Sequence, residues 1–168
     1  MYSTVIVLCV LCALPGTVRS QKKDSATAHL RAPHRAVVEE WLAKKPNLRL
    51  ATAADCLNKD GLAITREQQG KDYNPYYAVG DFNRDKREDF AVALVDKRKK
   101  KNKFAVAIFN GRVGKDSVPA FFEEGWDLSD GGLSDGGGGV MAGPFESDNC
   151  VILRPRGKKY FVKDCLEE

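Results

Sequence analysis

Histidine is scarce in this chain: two residues, His29 and His34, among 168. Neither has cysteine or carboxylate neighbours at zinc-ligand spacing. A nucleophile elbow and a phosphate-cradling glycine loop are missing as well. These absences leave catalysis without a motif, so the chain reads as more non-catalytic than enzymatic, and both histidines are expected at the surface. A reaction run by carboxylates alone, such as Asp72 with Glu123, needs none of those parts, because two acids suffice for some hydrolases. Nothing in the spacing selects that pair.

Long apolar runs are also rare. The one stretch, residues 5–14, is too short to span a bilayer comfortably. Pro15-Gly16 and then Val18-Arg19-Ser20 follow it, with small or permissive residues where a signal peptidase cuts, ahead of Gln21. Residues 1–20 therefore read as a signal peptide, which implies a secreted or periplasmic protein with no transmembrane segment in its mature chain. Losing Arg19 takes Lys+Arg from 27 to 26 against 23 Asp+Glu, a net charge of +3. That mild excess calls for no nucleic acid.

Cysteine is limited too. Of five, Cys9 and Cys12 leave with the signal, so Cys56, Cys150 and Cys165 remain and at most one intramolecular disulfide can form. With Arg156-Gly157 at the tip of a C-terminal hairpin, Cys150 falls opposite Lys163, two residues short of Cys165. A longer tip brings Cys150 and Cys165 within the Cα separation of about 7 Å that a disulfide needs. Cys56–Cys165 is neither demanded nor forbidden. Cys150–Cys165 is the favoured pairing, with Cys56 a buried, unreactive thiol.

About 148 mature residues suffice for one core but not for the several blades of a propeller. Residues 21–32 are polar and aperiodic, a flexible leader. Residues 33–168 read as a single α+β domain, a mainly antiparallel β-sheet packed by an N-terminal helix. That helix starts at Pro33 and runs through Lys45, with Val37, Val38, Trp41 and Leu42 at helical spacing and Pro46 as its stop. Residues 48–50 suit a short strand. Thr52 suits the cap of a short turn through Leu57, broken by Asn58-Lys59-Asp60-Gly61, and residues 65–69 suit one further helical turn before Gly70. Phe90, Val92 and Leu94 alternate with Ala91, Ala93 and Val95; Phe104, Val106 and Ile108 alternate with Ala105, Ala107 and Phe109. Large residues on one face and mostly alanine on the other predict a sheet covered on both sides, with a helix on the alanine face. The basic connection 96–103 reads as a solvated hairpin tip that discourages edge aggregation. Residues 127–139, rich in Asp, Gly and Ser, read as a flexible loop, although Asp127, Asp130 and Asp135 can add oxygens to a metal. Residues 140–145 suit a strand, and 150–162 a hairpin turning at 155–158.

The most informative stretch is Asp81-Phe82-Asn83-Arg84-Asp85-Lys86-Arg87-Glu88-Asp89, set between Tyr76-Tyr77-Ala78-Val79 and the apolar run 90–95. Asp81, Asn83, Asp85 and Asp89 supply oxygens at a spacing that a curled loop can aim at one point, and the Arg87 carbonyl is the natural backbone ligand between the last two. Ca²⁺ takes six to eight oxygens at roughly 2.3–2.6 Å. An EF-hand is excluded, because its twelfth position is Val92 and its flanks read as strands. Over residues 78–95 the stretch resembles the strand–loop–strand calcium motif of FG-GAP/VCBS repeats, found in integrin-type propellers, with the pattern D-x-[DN]-x-D-G-x-x-D before an apolar strand. The resemblance implies Ca²⁺ on Asp81, Asn83, Asp85 and Asp89, with Arg87 through its carbonyl. Lys86 stands where the motif has glycine, at a turn with positive φ. Two function classes follow. The preferred one is a secreted, non-catalytic binding module with a calcium-ordered loop and a protein or glycan partner. The alternatives are a small carboxylate-based hydrolase with a structural calcium, and a secreted enzyme inhibitor.

Overall fold

The structure, a computed structural model, describes residues 26–114, 116–157 and 159–166. The signal peptide expected over residues 1–20 lies outside the described residues. Helix α1, Ala32–Ala43, carries Pro in its first turn and buries His34, Val37, Val38 and Trp41, a single stripe at i, i+3, i+4 and i+7. Residues 26–32, expected within the flexible leader, are part of the fold. Residues 26–30 form a turn whose Leu30 is buried, and Arg35 donates to the carbonyls of Thr27, Ala28 and Leu30. A guanidinium satisfying three carbonyls is what fixes this segment onto α1. His34 also departs from the surface reading, since it is buried.

Strand β1, Leu48–Leu50, follows, then a 3₁₀ turn over Ala53–Asp55 capped by Thr52. Asn58-Lys59-Asp60-Gly61 does not break the next helix but begins it. The Asn58 Oδ1 accepts from the Gly61 amide at 2.8 Å, and helix α2 then runs over Lys59–Gln69 to Gly70, whose φ is 107°. A side-chain acceptor for a first-turn amide converts a turn-like tetrapeptide into an N-terminal cap.

Strands β2 (Tyr77–Gly80), β3 (Asp89–Asp96), β4 (Phe104–Phe109) and β5 (Phe121–Trp126) complete an antiparallel five-stranded sheet. β1 and β2 share one edge of β3, with Leu50 opposite Leu94 and Tyr77 opposite Val92. Every residue of β3 and β4 is buried, so the sheet is covered on both sides. The faces differ from the sequence reading. In the β3–β4 register Phe90 meets Phe109, Val92 meets Ala107 and Leu94 meets Ala105, so bulk on one strand faces alanine on the next. Alternation in each strand says nothing about their relative phase, which the hairpin connection sets.

Phe90, Val92 and Leu94, with Ala105, Ala107 and Phe109, pack under α1; Ala91, Ala93 and Val95, with Phe104, Val106 and Ile108, face the other side. The cover there is chiefly a second antiparallel sheet: β6 (Gly131–Asp135), β7 (Val140–Pro144), β8 (Val151–Arg156) and β9 (Lys159–Asp164), in that order. Residues 127–139 are thus no flexible loop. A Cβ on Gly131 would come within 1.8 Å of the Gly143 carbonyl oxygen, and one on Gly132 within 2.5 Å of that of Pro75, so glycine here permits close backbone packing. Leu133 donates its amide to Pro75 at 2.7 Å, and the Tyr76 hydroxyl donates to the Leu128 carbonyl at 2.9 Å, joining the two sheets.

At the C-terminal end Arg156 pairs with Lys159 and Val151 with Asp164. The tip lies one residue later than the sequence reading placed it, and the register brings Cys150 opposite Cys165. They form a disulfide with a Cα separation of 5.5 Å. Cys56 is free and buried.

Candidate functional site

The loop between β2 and β3 is wound by its own side chains. Asp81 accepts the Asp85 amide on Oδ1 at 2.9 Å and the Lys86 amide on Oδ2 at 2.8 Å. Asn83 Oδ1 also accepts the Asp85 amide, at 3.0 Å, and Asp85 Oδ1 accepts the Arg87 amide at 2.9 Å. Asn83 Nδ2 donates to Asp85 Oδ2 at 3.3 Å. Alternate short side chains bonding to backbone two to five residues ahead force the chain to curl. Arg84 and Lys86 take left-handed φ of 59° and 66° inside this curl, so the sixth position has the turn that glycine would adopt freely.

Asp89 sits at the base of the loop, fully buried. Its Oδ2 accepts from the Asn83 amide at 3.1 Å and its Oδ1 from the Gly111 amide at 2.6 Å. Burial pushes the Asp89 carboxyl upward and the nearby Asp85 charge adds to this, while the amides of Gly111, Asn83 and Phe82 oppose it. Among the described residues no Lys, Arg or His pairs with Asp89. The spacing thus brings Asp81, Asn83 and Asp85 into one hydrogen-bonded loop with Asp89 as its anchor and Arg87 between them. No three Asp, Glu, His or Cys among the described residues gather closely enough to hold a metal. The donor set nevertheless suits a hard cation: it is all oxygen, and each carboxylate oxygen that accepts one amide keeps a further lone pair.

Four other segments hold the loop. Arg31 forms an ion pair with Glu88. His34 Nε2 lies 3.4 Å from Glu88 Oε1, and its Nδ1 is 2.7 Å from the Tyr77 hydroxyl. The His34 ring stacks on Phe90 with centroids 4.1 Å apart. Burial pulls the His34 imidazole down, Glu88 opposes that shift, and Arg31 adds to it. Arg84 Nη2 donates to the Gly137 carbonyl at 3.1 Å, and a Cβ on Gly80 would come within 2.8 Å of Asp135 Oδ2. The Tyr160 hydroxyl donates to Asn110 Oδ1 at 2.7 Å; burial pushes that phenol up, and the Asp89, Asp85 and Asp81 charges push it further.

Compared with known proteins, the chain matches no family model, no curated protein and no solved structure. The site therefore stands on its own geometry.

Of the three extra aspartates, Asp135 lies beside the loop. Asp127 instead accepts from the amide and hydroxyl of Ser129, which hold its carboxyl below the usual range, and the Asp130 carbonyl accepts from Phe145. Asp72 and Glu123 are both exposed, and no hydrogen bond or ion pair joins them among the described residues. Gly111, Asn110 and Tyr160 were missed as loop supports. The Asn110-Gly111 dipeptide, directly after an apolar run, is a turn signal that points to the first two. Tyr160 carries no local signal, since its place depends on the second sheet.

Proposed function

We propose that the chain is a secreted, non-catalytic binding module whose 81–89 loop is ordered by one Ca²⁺ and which binds a protein or glycan partner. The observation that carries this reading is the fully buried Asp89 carboxylate, without a cationic partner among the described residues, at the base of a loop curled by Asp81, Asn83 and Asp85. A buried charge is costly unless it is paired or coordinates a metal. Asp81, Asn83, Asp85 and Asp89 would hold the ion through side-chain oxygens, with the Arg87 carbonyl completing the set. The ion supplies positive charge and a cross-link between loop and β3. The Cys150–Cys165 disulfide suits an oxidising compartment.

A calorimetric titration with Ca²⁺, run beside a chelator control and a thermal melt, tests the reading. Calcium at about 5 mM exceeds the roughly 10⁻⁴–10⁻³ M affinities of extracellular modules and is expected to raise the melting temperature by mass action. Asp85→Ala should abolish that response without unfolding the protein. A wild-type melt unmoved by calcium overturns the calcium reading.

A further inference from the structure

A cleft of about 400 Å³ opens between α2 and the β6–β7 hairpin, on a part of the surface whose lining shares no residue with the 81–89 loop. We propose that it binds a neutral saccharide. This deepens the binding-module reading above by naming a ligand class, but does not depend on calcium. Its volume falls within the roughly 300–1,000 Å³ of small-ligand clefts.

Three features of the lining select the ligand. Tyr73 and Phe145, both half-buried, meet edge to face with centroids 6.5 Å apart and give the cleft an aromatic wall. The electron-rich face of such a ring attracts the polarised C–H groups along one side of a sugar. Gln68 and Gln69, exposed on the last turn of α2, bring side-chain amides to one rim, and Ser134 brings a hydroxyl from β6. Amides and hydroxyls both donate and accept, which matches sugar hydroxyls that do the same. Among the described residues no Lys or Arg lines the cleft, and its one charged side chain is Glu146. Phosphorylated, sulfated and uronic ligands are therefore disfavoured.

Glu146 reaches the cleft from a constrained turn. It holds a left-handed φ of 53° in the turn after β7, where it lines the cleft. A strained non-glycine residue is costly, and such residues concentrate at ligand clamps.

The test is a two-dimensional ¹⁵N NMR titration of the folded protein with lactose, cellobiose, maltose and N,N′-diacetylchitobiose, repeated with chelator, with a sulfated heparin disaccharide as the anionic arm. At least one neutral disaccharide is expected to shift the Gln68 and Gln69 side-chain amide signals and the Tyr73 backbone signal, with or without calcium. Gln68→Ala combined with Gln69→Ala, both at exposed positions, should keep the spectrum of a folded protein and weaken that binding about tenfold or more, or about 1.4 kcal/mol. Silence from every neutral sugar at these signals overturns the proposal, as does equal binding by the double variant. Stronger shifts there from the sulfated disaccharide also overturn it. Because the chelator arm separates sugar binding from the metal, failure of the calcium reading and failure of this one give different results.

Discussion

The Lys86 amide donates to Asp81 Oδ2 at 2.8 Å while its own backbone holds a φ of 66°. The hydrogen bond fixes a lysine in a conformation that costs a residue with a Cβ about 1–2 kcal/mol. Lys86→Gly removes that cost and gives back roughly 0.4–1 kcal/mol through the freer unfolded chain. A net gain between about 0 and 1.6 kcal/mol is expected in urea melts, together with a larger calcium response. Arg84 is the contrast: its φ is 59°, but its side chain bonds the Gly137 carbonyl, so Arg84→Gly should gain less or lose stability.

His34 makes stability depend on pH near neutrality. Burial lowers its folded pKa, so below an unfolded value of about 6.5 the unfolded chain takes up the proton more readily than the folded one. Stability is therefore expected to fall as pH drops through about 6.5 toward the folded value. His34→Phe keeps a ring to stack on Phe90 and cannot titrate. Melting temperature plotted against pH should be flatter for this variant between about pH 7 and 5. The remaining slope belongs in part to His29, which burial also lowers.

Asp96 adds a second loss of stability on acidification, in a more acidic window. Its side-chain hydrogen bonds from Arg98 come first in holding the carboxyl down at about 2, helped by the Arg98 amide and by Lys99. A depressed carboxylate adds stability above its unfolded value and loses it as pH falls, here from about 4 toward 2. Asp96→Asn should be less stable than wild type at neutral pH, and the difference should vanish near the acid end of that window. Lys100 and Lys101, at the exposed tip, form no ion pair among the described residues. Neutralising both is expected to change stability by only a few tenths of a kcal/mol.

What the sequence made legible was local. Val37, Val38 and Trp41 announced the buried face of α1, and the spacing of Asp81, Asn83 and Asp85 announced a curled loop, although not that these side chains accept the loop's own amides. What it hid depended on contacts between distant segments. Gly131 and Gly132 look like loop residues until Gly143 and Pro75 are known to lie against them. Asn58 looked like part of a break because a cap and a turn use the same residue types. Each strand of the β3–β4 pair was readable alone, but their relative phase was not. His34 was misread for the same reason, since Phe90, Tyr77 and Glu88, the three residues that give it a buried place, come from β2, β3 and the loop between them.

The disulfide closes the open end of the last hairpin, where the Cys165 amide also donates to the Cys150 carbonyl at 3.0 Å. With the two cysteines separated by 15 positions in sequence, loop-closure entropy assigns the cross-link about 3 kcal/mol, within the typical 2–4 kcal/mol. The hairpin already orders much of that segment, so the unfolded state carries most of the effect. Cys150→Ser with Cys165→Ser is thus expected to lower the urea midpoint, and reductant should do the same to wild type but not to the double variant. Cys56 should resist alkylation in the folded protein, because it is buried, its thiol bonds the Asn58 carbonyl at 3.3 Å, and burial pushes its pKa up. Non-reducing peptide mapping checks the connectivity directly. Recovery of Cys56 in a disulfide would contradict it, because Cys56 is a free thiol buried in the core between the two sheets.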